Sequence, residues 1–172
     1  SGDGPQDTYA LFTCGGILDQ HKHFDALNFV IYHRGHLALD TGTRWGNDAE
    51  ANALHLANYY AQSVAHNVVL VHQPGEPPAR YWGAPVNANY GGQHRQLGSV
   101  TKAFETNDDY VYVAGDATAC YLHGAVKREG QPDLPEKVSL VTRQFVFLLP
   151  NLVVVFDRVT STDASYRKDW LL

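Results

Sequence analysis

Cysteine is nearly absent from this 172-residue chain, which carries only Cys14 and Cys120. Two thiols cannot make a disulfide framework, and their spacing is not that of a metal-ligand pair. The sequence leaves open whether they pair in an oxidising compartment or stay as free buried thiols. Long apolar runs are lacking too, since none approaches the roughly 20 residues of a membrane-spanning helix. Clustered basic residues are also missing. The net charge is −5 and the lysines and arginines are scattered, so the basic patch that nucleic-acid binding requires is not there. An acidic polysaccharide is not excluded, because a few cations in a cleft act locally against the net charge. The opening "SGDGPQDTYA" has neither the basic region nor the apolar stretch of a signal peptide. The expectation is a cytoplasmic protein, or a chain that begins after a removed or omitted segment.

What remains is the composition of one globular domain spanning 1–172. Apolar residues make up 44% and charged residues 18%, enough for a core and unlike a disordered chain. Most of the chain reads as strands. In "ALNFVIYHRGHLALDTG", Leu27, Phe29 and Ile31 alternate with polar positions, Arg34-Gly35 turns, and Leu37 and Leu39 resume the alternation. "NVVLVHQ" is a further β-branched run stopped by the loop "PGEPP". "DDYVYVAGDAT" continues the pattern. "FVFLL" and "LVVVF" flank Pro150-Asn151, which predicts a tight hairpin. The final "DASYRKDWLL" looks like the start of another strand. One segment differs: Ala49 to about Gln62 is rich in alanine and leucine, with Asn47 or Asp48 as N-cap and Glu50 in the first turn, and predicts a helical insert. "WGAPVNANYGGQHRQLG" reads as a long irregular loop. The fold class is mainly β, an antiparallel β-sandwich of stacked sheets with one short helical insert.

Histidine is the compositional oddity, with nine residues, and the stretch "DQHKHFDALNF" gathers two of them beside two carboxylates. Residues i and i+2 of an extended segment share a side, so His21 and His23 could face one site. The returning strand "LALD" places Asp40 as a cross-strand neighbour of His23. His66 opens the strand after the helical insert. Two neutral imidazoles and a carboxylate form a zinc donor set. On pattern alone, a histidine at a strand mouth is more often solvated than a ligand, and Asp40 in "DTG" equally suits a turn cap.

Three motifs in order carry a resemblance: "HKHFDALNFVIYHRGHLALDTG", "YYAQSVAHNVVLV" and "VSLVTRQFVFLLPNLVVVFDRV" together resemble the heparinase II/III family of polysaccharide lyases. That resemblance implies the C-terminal β-sandwich of a larger enzyme, packed against an N-terminal α/α toroid that has no counterpart here. His21 then matches the active-site histidine, and His23, Asp40 and His66 match the residues of a structural zinc site. Tyr60 lies near a tyrosine that contacts sugar or donates a proton, although Tyr59 adjoins it and a one-residue slip would exchange the two. The implied reaction is β-elimination on a uronic-acid polysaccharide such as heparan sulfate or alginate, and the implied location is periplasmic or secreted. A uronyl C5-epimerase of the same architecture is the rival enzyme, and a non-catalytic carbohydrate-binding module is the rival from another class.

Weaker candidates surround these. Arg44 and Trp45, beyond the "DTG" turn, offer a carboxylate clamp and a sugar-stacking face for substrate binding. Arg80, Tyr81, Trp82 and His94 flank the glycine-rich loop and read as loop anchors more readily than as cleft rim. His33, His36 and His72 are expected at the surface or at sheet edges without partners, and Asp116 and His123 in turns.

Overall fold

The computed structural model describes residues 4, 6–16, 22–43, 53–79, 81, 90–123 and 134–172. Among the described residues, nine strands run in the order β1 (Thr8–Phe12), β2 (Phe29–His33), β3 (His36–Ala38), β4 (Val69–His72), β5 (Val100–Thr106), β6 (Tyr110–Asp116), β7 (Val138–Leu148), β8 (Leu152–Ser161) and β9 (Arg167–Trp170). They form three antiparallel sheets, ordered β1-β2-β3, β4-β9 and β5-β6-β7-β8. Both expected hairpins are present. Arg34, with φ +58, turns β2 into β3, and Pro150-Asn151 joins β7 to β8.

The alternation along β7 and β8 decides how the layers stack. Val141, Arg143, Phe145 and Phe147 face inward from β7, while their neighbours face out. Phe145 meets Phe29 and Ala38 of the three-stranded sheet, with Phe12, Ile31, Val153 and Val155 closing around them. A second cluster joins Val69 and Val71 of β4 to Leu27, Tyr121, Val138 and Val141. Such face-to-face burial is what a sandwich requires. Cys14 packs against this second cluster and Cys120 lies within it, both as free thiols, and burial pushes the Cys120 thiol up to about 11.

One charged pair sits inside this apolar layer. Arg143 and Asp157 are direct cross-strand partners on β7 and β8. The guanidinium meets the carboxylate in a two-pronged bond, Nε to Oδ1 at 2.7 Å and Nη2 to Oδ2 at 2.8 Å. Its Nη1 donates to the carbonyls of Leu27 at 2.6 Å and Asn67 at 2.5 Å, and the group lies over the Phe29 ring at 5.0 Å. A buried charge is tolerated when its donors are met in this way. The pair ties the mouth of β2 and the entry to β4 to the largest sheet.

The helical insert is confirmed over 53–65, as a helical turn at 53–55 running into a π-helical turn (Leu56–Tyr60) and then a 3-10 turn (Ser63–Ala65). Ala57 and Ala61 pack with Phe24, Ala79 and Tyr81. The expected caps Asn47, Asp48 and Glu50 lie outside the described residues. No helix among the described residues is long and apolar enough to cross a membrane.

Candidate metal and active site

The segment leading into β2 is pinned on every side. The Phe24 N–H donates to the Ala61 carbonyl at 2.9 Å, and the Ser63 hydroxyl donates to the Phe24 carbonyl at 2.7 Å. The Gln93 amide clamps Ala26, accepting from its N–H at 3.0 Å and donating to its carbonyl at 2.9 Å. His23 and Asp25 therefore sit on a fixed piece of backbone. Opposite them, the Thr41 N–H and hydroxyl both donate to the Ala65 carbonyl at 2.8 Å. Gly42 follows with φ +84, and a Cβ there would stand 2.4 Å from the Tyr60 Cβ, so only glycine lets this turn lie against the insert. Asn67 fixes His66 from behind, since its side-chain amide donates to the Phe29 carbonyl at 2.8 Å and its N–H to the Asn28 side chain at 2.9 Å.

These supports bring together His23, Asp40, His66 and Tyr60. The His66 Nδ1 lies directly against the Asp40 Oδ1. The His66 side chain is 1% exposed and that of Asp40 40%, so the pair reaches from the interior to solvent. The His23 ring lies 5.3 Å from that of His66 and meets Tyr60 edge-on at 5.9 Å. His55 flanks the other side of Tyr60 at 5.2 Å. Among the described residues, the buried His66 Nε2 and Asp25 Oδ1 have no hydrogen-bond partner. Burial pushes the Asp25 carboxyl up, against the pull of His66, Lys22 and His23. Two imidazoles with carboxylates are a zinc donor set in kind, and an unpartnered, buried ring nitrogen fits a site that takes up a further group. Among the described residues, no three histidine, cysteine, aspartate or glutamate side chains already gather around one point that could hold a metal ion.

His21, Arg44 and Trp45 lie outside the described residues, as do Arg80 and Trp82. His23, Asp40 and His66 are neighbours as expected, but in a different arrangement. β2 begins only at Phe29, so His23 lies before the ladder, and Asp40 lies against His66. The two tyrosines are placed differently: the Tyr60 ring lies edge-on to His23 at 5.9 Å, whereas the Tyr59 hydroxyl meets Thr41 at an exposed contact of 3.2 Å. Tyr81 is a buried anchor, 1% exposed.

Other histidines depart from expectation. His33 shares a hydrogen bond with the Thr8 hydroxyl at 3.0 Å, and His72 pairs with Asp169 at 2.8 Å, so these sheet positions do have partners. His36 is exposed, edge-on to Tyr32. Asp116 serves its turn by accepting from the Thr118 N–H. His123 does not serve a turn: it is buried, bonds Gln73 at 3.0 Å and stands 5.4 Å from His94. His94 in turn meets Glu76 at 3.2 Å, and the same Glu76 oxygen accepts from the buried Lys137 at 2.7 Å. This second cluster was hidden in sequence because its members are scattered over more than sixty positions. Asp25 was equally easy to miss, since nothing in spacing separates a buried carboxylate from a solvated one.

The model of the family described as heparinase II/III-like, C-terminal, matches residues 4–129. The chain belongs to that family. Every described candidate of this heparinase II/III-like domain (His23, Asp40, Tyr60 and His66) falls inside the matched span. A solved structure, described as a heparinase III gene product, is similar with a TM-score of 0.57 at 16% identity over 93% of this chain. At that identity the likeness establishes the fold, an antiparallel β-sandwich. The chain spans 20% of the length of that heparinase III. No curated protein sequence matches it.

Proposed function

We propose that this domain is the β-sandwich part of a polysaccharide lyase that cleaves uronic-acid polymers by β-elimination, working with an α/α-toroid partner domain. The observation that carries the reading is the contact of Asp40 with His66, with the His23 ring 5.3 Å from that of His66 and edge-on to Tyr60, on loops pinned by Gln93 and Ser63. In the reaction, the C5 proton leaves to a base, a C4–C5 double bond forms, and the 4-linked oxygen departs with a proton. That C5 proton is a weak acid, so groups must be placed where charge develops on the uronate carboxylate. His21 is assigned to the cleft as an imidazole for carboxylate neutralisation or proton transfer, and Tyr60 as the hydroxyl that moves a proton to or from the sugar. Arg44 and Trp45 are assigned to substrate binding.

His23, Asp40 and His66 would hold zinc. The zinc, when bound, would supply a fixed charge that orients the segment carrying His23, two positions along the chain from His21. The side chains already in contact, Asp40 with His66, define the part of the site that exists before loading.

Two measurements test this. Elemental analysis of the purified chain should find near-stoichiometric zinc, lost in His66→Ala and Asp40→Ala; a chelator-free preparation without zinc would remove the metal assignment. The full-length protein containing this domain should generate unsaturated uronate ends, detected by ultraviolet absorbance, from heparan sulfate or alginate. Tyr60→Phe should lower that rate by about 10²–10⁴-fold, while the isolated chain should be inactive. Inversion at C5 without a double bond would make the protein an epimerase, and binding without turnover would make it a carbohydrate-binding module.

A further inference from the structure

The outer face of the three-stranded sheet has no task in the reading above. β1 and β2 send Ala10, Phe12, Phe29 and Ile31 into the core, so strand alternation turns Tyr9, Leu11 and Tyr32 the other way. This side stays open to solvent. Tyr9 is 56% exposed and Leu11 42%, and on and after β3 Leu37 is 63% and Leu39 46% exposed. A contiguous apolar face of this kind marks a place where something binds.

One rung of the sheet is aromatic from edge to edge. Tyr9 is the direct partner of Tyr32 on β2, and Tyr32 that of His36 on β3. The third ring is there because the β2–β3 ladder is irregular. Ile31 pairs with Ala38, so a regular ladder would set Leu37 opposite Tyr32. One extra residue in β3 sets His36 there instead, the way a bulge re-aims a side chain. The imidazole stands edge-on to the Tyr32 ring at 5.5 Å, which places it on the same outer face. Neighbouring strands lie about 4.8 Å apart, close to the rise per sugar of an extended polysaccharide. The three rings therefore keep step with successive sugars laid across the strands. Tyrosine and histidine each join an apolar ring to a polar tip, which matches the mixed apolar and hydroxyl-bearing faces of a sugar.

Charge points the same way. The chain carries −5 overall, yet Thr8–Phe12 and 29–39 contain no aspartate or glutamate, and Arg34 stands exposed at the turn between β2 and β3. The flanking carboxylates are occupied: Asp7 accepts from the Gly4 N–H at 2.7 Å, and Asp40 lies against His66. A face without anions on an acidic protein is complementary to an anionic chain.

Taking the ligand class from the lyase reading above, we propose that this face is a second, non-catalytic binding surface for the acidic polysaccharide. Tyr9, Tyr32 and His36 lie against successive sugar rings, and Arg34 meets an anionic group of the polymer. The surface retains the polymer on the domain and takes no part in bond cleavage.

The test is affinity electrophoresis of the whole chain through gels holding heparan sulfate or alginate, at two salt concentrations. At least one polymer should retard the wild type. Tyr9→Ala and Tyr32→Ala should each bind it about tenfold more weakly, and Arg34→Gln should bind more weakly with a shallower salt dependence. Leu152→Ala, at an exposed position of the largest sheet, should bind as wild type does. In the full-length protein, Tyr9→Ala should raise KM on polymer and leave turnover of a short oligosaccharide unchanged. Polymer binding that the face variants lose, in a full-length protein without lyase activity, would remove the lyase reading and keep this surface. Binding within twofold of wild type in the variant lacking both tyrosines, or a wild type that neither polymer retards, would overturn the proposal. So would a dimer in sedimentation that Tyr32→Ala disperses, because the face would then be a contact between copies. Nitration of Tyr9 in this chain but not in the full-length protein would overturn it as well, since the rest of the polypeptide would then cover the face. Should a variant fail to fold, protection of the wild-type Tyr9 from nitration by bound polymer decides the matter.

Discussion

His66 and His94 are both withdrawn from solvent and both rest against a carboxylate, yet their surroundings follow opposite plans. Around His94, the Glu76 carboxylate receives an ammonium as well as the imidazole, and Lys137 donates further to the Gly92 carbonyl at 2.6 Å. Burial alone would raise the Glu76 carboxyl, but the hydrogen bonds from His94 and Lys137 hold it below its usual range. Burial pushes Lys137 down to about 8 and lowers His94 as well. Charge there is answered from within the chain. Around His66, two carboxylates, Asp25 and Asp40, stand beside imidazoles, a buried nitrogen is unpartnered, and the pair opens toward solvent through Asp40. The first cluster is a closed fastening between loops. The second leaves a buried ring nitrogen unmet among the described residues, and it is the place where the proposed zinc would be tested. Burial of histidine says little by itself; the neighbouring charges separate the two cases.

The sharpest way to break this contrast is to remove the internal cation of the closed cluster. Lys137→Met leaves Glu76 buried without its ammonium and should destabilise the fold by about 3–5 kcal/mol in denaturant unfolding. A loss below about 1 kcal/mol would show that the cluster tolerates unmet charge and is no fastening at all. A smaller effect is expected at the rim of the second cluster. Gly42→Ala puts a Cβ against Tyr60 at a left-handed backbone position, which should cost about 1–3 kcal/mol and weaken zinc binding through Asp40; an unchanged melting temperature would show the turn free to move. The smallest effect is one of pH. His94 is held neutral, below its ordinary value of 6.5, so the unfolded chain takes up a proton first as pH falls. Its contribution is present above about 6.5 and lost below, at no more than about 1.4 kcal/mol per pH unit. His94→Gln should flatten the stability profile between pH 6.5 and 5, and an unaltered slope would assign the acid sensitivity elsewhere.

The strands that carried strong alternation and clear turns were legible: β2–β3, β4, β6, and the long β7–β8 hairpin. β5 was not, because every one of its seven residues is exposed and an edge strand without a buried side writes no pattern. β1 was not read as a strand either, although the pair Gly15-Gly16 stands just beyond it. At the site, residue types and order singled out His23, Asp40 and His66 as candidates, but extended-chain geometry misplaced their pairing because the backbone before Phe29 is coil. Asp25, Lys137 and Glu76 were illegible for a common reason. Burial of a charged side chain depends on contacts between distant segments, and local composition holds no trace of it. Arg143 and Asp157 were visible as motif letters, with no hint that one guanidinium would reach Leu27 and Asn67.

That reach has a consequence for how this domain can be cut. The family match ends at residue 129, and all the described candidate side chains lie before it. Arg143 and Asp157 lie after it, yet Arg143, held by Asp157, donates to the Leu27 carbonyl and to that of Asn67, the residue next to His66. A fragment trimmed to the matched span would carry the whole inscription and lose the clasp that keeps the page flat. The stretch that evolution makes recognisable and the stretch that must fold as one piece have different borders, and engineering of this domain should respect the second.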